Sequence, residues 1–325
     1  MRALVQPRFG DPSEVLSVQE VPDPEPGPGQ ALVRVVLSPV HNHDLWTVRG
    51  SYGFKPEMPA RAGTEAVGVV EALGEGVEGL AVGQRVATGG SFGAWAELIV
   101  APAAGLVPVP DGVDDEVAAQ LVSMPFSAIA LLDFLEVDEG DWIVQNAANG
   151  AVGRLLAQLA EARGVHVLGL VRRAAGVEEL REQGIENVVA TDDDGWRDRV
   201  RDIVGDHPLV AGVDSVGGTA AGDVLSLLAD DGVLVVFGAM ASPTLEIGSG
   251  DVIFKQAVIK GFWGSKVFPA MPGAKRGALM GELVRGIGTG TLTLPVEKVY
   301  ALEEIAEAAR ANQAPGRRGK ILLRP

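Results

Sequence analysis

Apolar and polar positions along the chain fall into two regimes. Over residues 1 to about 120, short β-rich runs are separated by turn residues, as in ALVRVVL at 31–37, AVGVVEALG at 66–74 and GAWAELIV at 93–100. No stretch of helical period interrupts them. From about 120 onward, nearly all-apolar runs alternate with amphipathic segments: WIVQNA, AVGRLLAQLAEARG, VHVLGLV, VEELREQG, NVVAT, LVAGVDSV and GVLVVFGA. Short apolar strands alternating with helices predict a parallel sheet covered on both faces, a doubly wound α/β domain. Beyond about 260 the pattern predicts a helix (AKRGALMGELVRGIGTG), a strand (LPVEKVYAL), a helix (EEIAEAARAN) and a last strand (RRGKILLR). That tail is too thin for a core of its own, so it is expected to pack back on the first domain. The expected boundaries are 1–120, 121–260 and a returning segment 261–325.

Charge and composition narrow the chemistry. The net charge is −16 and there is no cysteine. An acidic chain with scattered arginines does not predict a nucleic-acid partner. Without cysteine there are no disulfides, thiolate metal sites or thiol nucleophiles. The first residues lack the apolar core of a signal peptide, and no run of about 18 apolar residues occurs. A cytoplasmic protein with no membrane partner is therefore expected.

The WIVQN strand runs into Ala147-Ala148-Asn149-Gly150-Ala151-Val152-Gly153, where an amphipathic helix begins. Gly150 permits a tight turn beside a phosphate, Gly153 lets the helix pack on the strand, and the helix N-terminus offers unpaired N–H groups to a pyrophosphate. A bare glycine turn is the competing reading, but the strand, turn, helix, strand order favours a dinucleotide. At the end of the next strand, where an acid would bind the ribose of NAD, stand Arg172 and Arg173. Two guanidiniums pair with a 2′-phosphate, so NADP is the expected cofactor.

These stretches resemble the medium-chain dehydrogenase/reductase superfamily over essentially the whole chain. The resemblance implies a GroES-like β-rich catalytic domain followed by a Rossmann domain. Zinc alcohol dehydrogenases of that superfamily carry Cys-His-Thr-Asp and Gly-His-Glu motifs, whereas this chain reads His41-Asn42-His43-Asp44 and Gly63-Thr64-Glu65. A rescued site on His41, His43, Asp44 or Glu65 is conceivable. However, the two histidines are expected on an extended segment, facing opposite ways, so no metal is expected.

Within the superfamily the chain is most similar to the zinc-free 2-enoyl thioester reductases of mitochondrial type, then to quinone oxidoreductases. The matching residues are Arg49-Gly50-Ser51-Tyr52-Gly53 with Pro56-Glu57-Met58-Pro59-Ala60, Gln145-Asn146-Ala147-Ala148-Asn149 and Lys260-Gly261-Phe262-Trp263. The resemblance implies Tyr52 as proton donor. For the cofactor it implies contacts from Asn149, Gly150, Ala151 and Val152, from Arg172 and Arg173, from Phe237, Gly238, Ala239 and Met240, from Phe262, Trp263 and Gly264, and from Lys320. Ser127 would orient the nicotinamide amide. Met124 before Pro125 replaces a family asparagine, which removes one cofactor hydrogen bond.

The residues support reduction of an electron-poor C=C bond without a Lewis acid: positioning, donors to the developing enolate and a proton source suffice. An uncharged phenol such as Tyr52 suits an apolar acyl pocket, although a loop tyrosine that merely covers the hinge is the plainer reading. Trp46, Phe54, Trp95, Phe126, Phe262, Trp263 and Phe268 are candidates to shape that pocket or to fill the core. A quinone or alkenal reductase, and a non-catalytic NADPH-binding protein, remain as alternatives. The small-molecule substrate is thus an enoyl thioester or a quinone. A homodimer is expected through a sheet edge near GVLVVFGA.

Overall fold

A computed structural model describes residues 1–325, and the chain divides into two compact units. The first comprises Met1–Met124 and Leu294–Pro325, the second Pro125–Thr293.

In the first unit the long strand Gln30–Pro39 pairs antiparallel with Glu65–Leu73 and with Leu98–Pro102. Its alternate residues Ala31, Val33, Val35 and Leu37 are buried, the period-two pattern of a sheet with one face on a core. Ile99, Val70 and Val86 complete that core. Lys320–Arg324 joins the same sheet by pairing Leu322 with Pro39 and Leu323 with Ser38, and it carries Val296–Ala301 in parallel. A second cluster gathers Leu4, Leu45, Val48, Trp95, Leu302, Ile305, Ile321 and Leu323. Trp95 is fully buried, and its indole N–H donates to the Pro39 carbonyl at 3.0 Å.

The second unit is a six-stranded parallel sheet in the order Val188–Ala190, His166–Val171, Trp142–Gln145, Leu209–Asp214, Val233–Val236, Val258–Gly261. The order reverses at Trp142–Gln145, the switch point beside which such sheets bind ligands. Helix Ala151–Ala162 buries Leu155, Leu156, Leu159 and Ala160.

Three details differ from the sequence reading. Asn42–Arg49 is a helix, not an extended run. Its Gly50 C-cap, at φ 75°, ends it in the left-handed conformation that glycine tolerates best. Its polar face, with four buried positions in eight residues, gave too little apolar period to be seen.

Second, the chain returns to the first unit at Leu294 rather than near 261. Helix Gly273–Gly288 belongs to the nucleotide-type unit, tied there by Arg163–Glu282 and Lys275–Asp133 ion pairs. Third, Val233–Val236, within GVLVVFGA, is an inner strand paired on both sides, and the open edge on that side of the sheet is Val258–Gly261. That edge strand is short and only half apolar, so the more hydrophobic neighbour stood out in its place.

Candidate functional site

In the second unit, the sequence-predicted loops lie at the carboxyl ends of the parallel strands. After Trp142–Gln145 the backbone passes through Ala147 at φ 49°, and Gly150 is the N-cap of Ala151–Ala162. No side chain caps this helix, which leaves the first-turn amides of Ala151, Val152 and Gly153 for an anion. Gly153 has no alternative, because a Cβ there would stand 2.7 Å from the Ala147 carbonyl oxygen and 2.8 Å from that of Ala148. Asn149 is half-buried beside the turn.

Arg172 and Arg173 follow His166–Val171 directly, are exposed and take part in no ion pair. Phe237, Gly238, Ala239 and Met240 follow Val233–Val236, while Phe262, Trp263 and Gly264 follow Val258–Gly261. The Phe237 and Phe262 rings lie 5.8 Å apart. Phe262 is buried, whereas Met240 and Trp263 are exposed. Ser127 is buried on helix Ser123–Leu135. Lys260 holds the far end of that helix, donating to the Phe134 carbonyl at 3.1 Å. An uncapped, glycine-entered helix beside two unpaired arginines fits a dinucleotide with a 2′-phosphate.

The sequence reading missed what locks the two central strand ends. Asp214 ends Leu209–Asp214, and its carboxylate accepts from Asn146 Nδ2 at 2.5 Å and from the Val216 and Gly217 amides at 3.1 Å. Asn146 Oδ1 in turn accepts the Ser215 amide at 2.7 Å. An acid closing an apolar strand just before Gly217-Gly218 was the available signal.

In the first unit Tyr52 follows the helix Asn42–Arg49 on the Gly-Ser-Tyr-Gly bend, its ring centroid 5.9 Å from that of His43. The expectation that His41 and His43 face apart is corrected. Because the helix starts at Asn42, the two rings stack at 4.9 Å and 15°. No group of three or more His, Asp or Glu side chains is disposed to hold a metal ion.

These polar groups have other partners. Glu65, wholly buried, accepts the Val122 and Ser123 amides on Oε1 at 2.7 and 2.8 Å and meets His41 Nε2 through Oε2 at 2.6 Å. Lys320, also buried, is near enough for its charge to act on both. Burial pushes the Glu65 carboxyl up to about 7, against the amides and Lys320 that favour its anion. Burial likewise holds His41 well below the usual imidazole range.

The Glu65 shift predicts a pH dependence. Between the ordinary carboxylate pKa and about 7, the folded chain binds a proton at Glu65 that the unfolded chain lacks. That stabilising increment is complete below the unfolded value and is lost as pH rises through about 7. Glu65→Gln keeps the shape and never ionises. Its stability relative to wild type should therefore rise on going from pH 4.5 to pH 8, by about 3 kcal/mol. Denaturant melts of both proteins across that range check this, and a constant difference would remove the buried-acid assignment.

Two family models match the chain: an alcohol dehydrogenase GroES-like domain over residues 27–111 and a zinc-binding dehydrogenase over residues 151–276. The chain is 31% identical to the mitochondrial enoyl-[acyl-carrier-protein] reductase of Arabidopsis thaliana, over 81% of this chain and 72% of that protein. Among solved structures it is similar to a mycobacterial quinone oxidoreductase, with 30% identity and a TM-score of 0.86. It is also similar to a mycobacterial protein complexed with NADPH, with 29% identity and a TM-score of 0.88. Both of these alignments cover 100% of each chain.

Proposed function

The chain belongs to the medium-chain dehydrogenase/reductase superfamily, and on that premise we propose that it is an NADPH-dependent reductase of a 2-enoyl thioester. The observation that carries this reading is the Tyr52 phenol on its Gly-Ser-Tyr-Gly bend, packed against the His43 imidazole. It is an uncharged proton donor beside a second proton-carrying ring. The similarity to an enoyl reductase supports the substrate class, and the NADPH complex of a similar protein supports the cofactor.

When bound, NADPH supplies a hydride. The chain's own residues do the rest. Arg172 and Arg173 pair with the 2′-phosphate, and the amides of Ala151, Val152 and Gly153 take the diphosphate beside Asn149 and Gly150. Phe237, Gly238, Ala239, Met240, Phe262, Trp263 and Gly264 border the nucleotide, and Ser127 orients the nicotinamide amide. Lys320 adds positive charge on the first unit. Once the substrate's β-carbon has been reduced, negative charge collects on the thioester oxygen, and Tyr52 delivers a proton to the α-carbon.

Reduction of a quinone is the second reading, favoured by the 30% identity to a quinone oxidoreductase. Initial rates of NADPH oxidation with a crotonyl thioester and with a benzoquinone separate the two. A higher kcat/KM for the thioester is expected, and turnover of the quinone alone would reverse the assignment. No helix is long and apolar enough to cross a membrane, and the reading puts the protein in the cytoplasm.

The same reading makes the protein a homodimer through the open Val258–Gly261 edge. Val258 on that strand, and Ile253 and Phe254 on the helix Ser249–Phe254 that precedes it in the chain, are exposed, Phe254 to 83%. An unpaired strand edge next to exposed apolar side chains is otherwise an aggregation hazard. Light scattering should give twice the chain mass for wild type and the single chain mass for Phe254→Asp. A monomeric wild type would sink the idea.

A further inference from the structure

The first turn of helix Asn42–Arg49 enters a hydrogen-bond chain to which the hydride and proton transfers to substrate assign no role. His43 Nε2 lies 2.8 Å from Thr64 Oγ1. Thr64 Oγ1 donates to Asp44 Oδ1 at 2.7 Å, and the His41 amide donates to Asp44 Oδ2 at 3.0 Å. Asp44 and Thr64 are buried, while His43 keeps an exposed edge, its side chain 23% accessible.

A threonine hydroxyl has one hydrogen, and here the carboxylate takes it. Toward the imidazole, Thr64 Oγ1 can therefore only accept, so Nε2 carries the ring proton and Nδ1 presents a lone pair. The ring is held on further sides. It stacks on His41, which Glu65 fixes at 2.6 Å, while the backbone that carries it is tied where Thr47 Oγ1 donates to the His43 carbonyl at 2.7 Å. What remains is an imidazole of one tautomer and one orientation, its centroid 5.9 Å from that of Tyr52.

We infer that His43 is the positioning residue that returns the proton to Tyr52, with Thr64 and Asp44 fixing its tautomer. The inference rests on the enoyl reductase reading. After the phenol O–H bond breaks and the α-carbon C–H bond forms, Tyr52 is a phenolate. A solvent proton adds to the lone pair at Nδ1 and passes to the phenolate oxygen, which leaves His43 neutral again. One proton enters per turnover and balances the one consumed. Asp44 Oδ1, 3.5 Å from Nε2, is already in place as partner for the transient imidazolium.

The test has two arms. In the free protein, imidazole ¹⁵N shifts of the four histidines, with His43 assigned through His43→Gln, should show His43 with Nε2 protonated and Nδ1 bare. Thr64→Ser should keep that state and Thr64→Val should lose it. A wild-type Nδ1–H tautomer overturns the inference whatever the substrate proves to be. In the second arm, steady-state turnover of NADPH with a crotonyl thioester, in which each cycle needs Tyr52 reprotonated, is followed in H₂O and D₂O. His43→Gln should slow thioester reduction about tenfold, less than loss of a general acid itself, and raise the solvent isotope effect. NADPH affinity and benzoquinone reduction should hold. Equal loss on both substrates, or an unchanged isotope effect, makes His43 a packing residue. A wild type that reduces only quinone defeats the enoyl reading, while the ¹⁵N arm still judges the tautomer.

Discussion

Replacing Arg172 and Arg173 together by alanine raises the NADPH dissociation constant about a hundredfold and leaves that of NADH nearly unchanged. Both side chains are exposed at the end of His166–Val171, where a ribose-binding acid would select NAD, and neither is in an ion pair. Charge-assisted bonds to a phosphate contribute about 1.5–3 kcal/mol each, and solvent screening at an exposed site favours the lower end. Two such contacts total about 3 kcal/mol, which is roughly two orders of magnitude. The loss should shrink at high salt. Fluorescence titrations of both cofactors at two ionic strengths read all of this. Equal affinities in wild type would show that the pair does not bind the 2′-phosphate.

Tyr52→Phe lowers kcat for thioester reduction by about 10²-fold, the scale of a lost general acid, with NADPH affinity intact. The substitution keeps the ring against His43 and removes only the hydroxyl. Because that group acts on charge present after hydride transfer, the loss falls on kcat more than on KM. A quinone, once reduced, takes its protons from water and should be turned over at the wild-type rate. Equal losses on thioester and quinone would identify Tyr52 as packing and move the proton donor elsewhere.

The nucleotide-type unit was largely legible because its signals are local. An apolar strand, Gly150 and Gly153 at fixed spacing, and a helix with Leu155, Leu156 and Leu159 on one face all fall within some twenty residues. The first unit concealed more. Asn42–Arg49 reads as polar and turn-like until Leu45 and Val48 meet Trp95 and Leu323 in one cluster, a contact across distant parts of the sequence. The His43, Thr64 and Asp44 chain was invisible for the same reason. In the sequence the threonine stands only where a metal ligand is missing, and its hydroxyl acquires its role through a carboxylate twenty residues away. Glu65 likewise looked like half of a lost metal motif, whereas its carboxylate closes on the Val122 and Ser123 amides just ahead of the crossing into the second unit.

The strand Lys320–Arg324, which pairs with Gln30–Pro39 and buries Ile321, Leu322 and Leu323, gives the protein a timetable during its synthesis. Residues 125–293 are continuous and can close into a sheet as soon as they leave the ribosome. The first unit cannot finish. Its earliest strands can pair with one another, but Ser38 and Pro39 at the end of Gln30–Pro39 stay without Lys320–Arg324 until the whole of the other unit and the returning segment have been translated. Chaperones should therefore hold nascent chains through that interval, and a stalled ribosome should display a folded nucleotide-type unit flanked by a protease-sensitive N-terminal half.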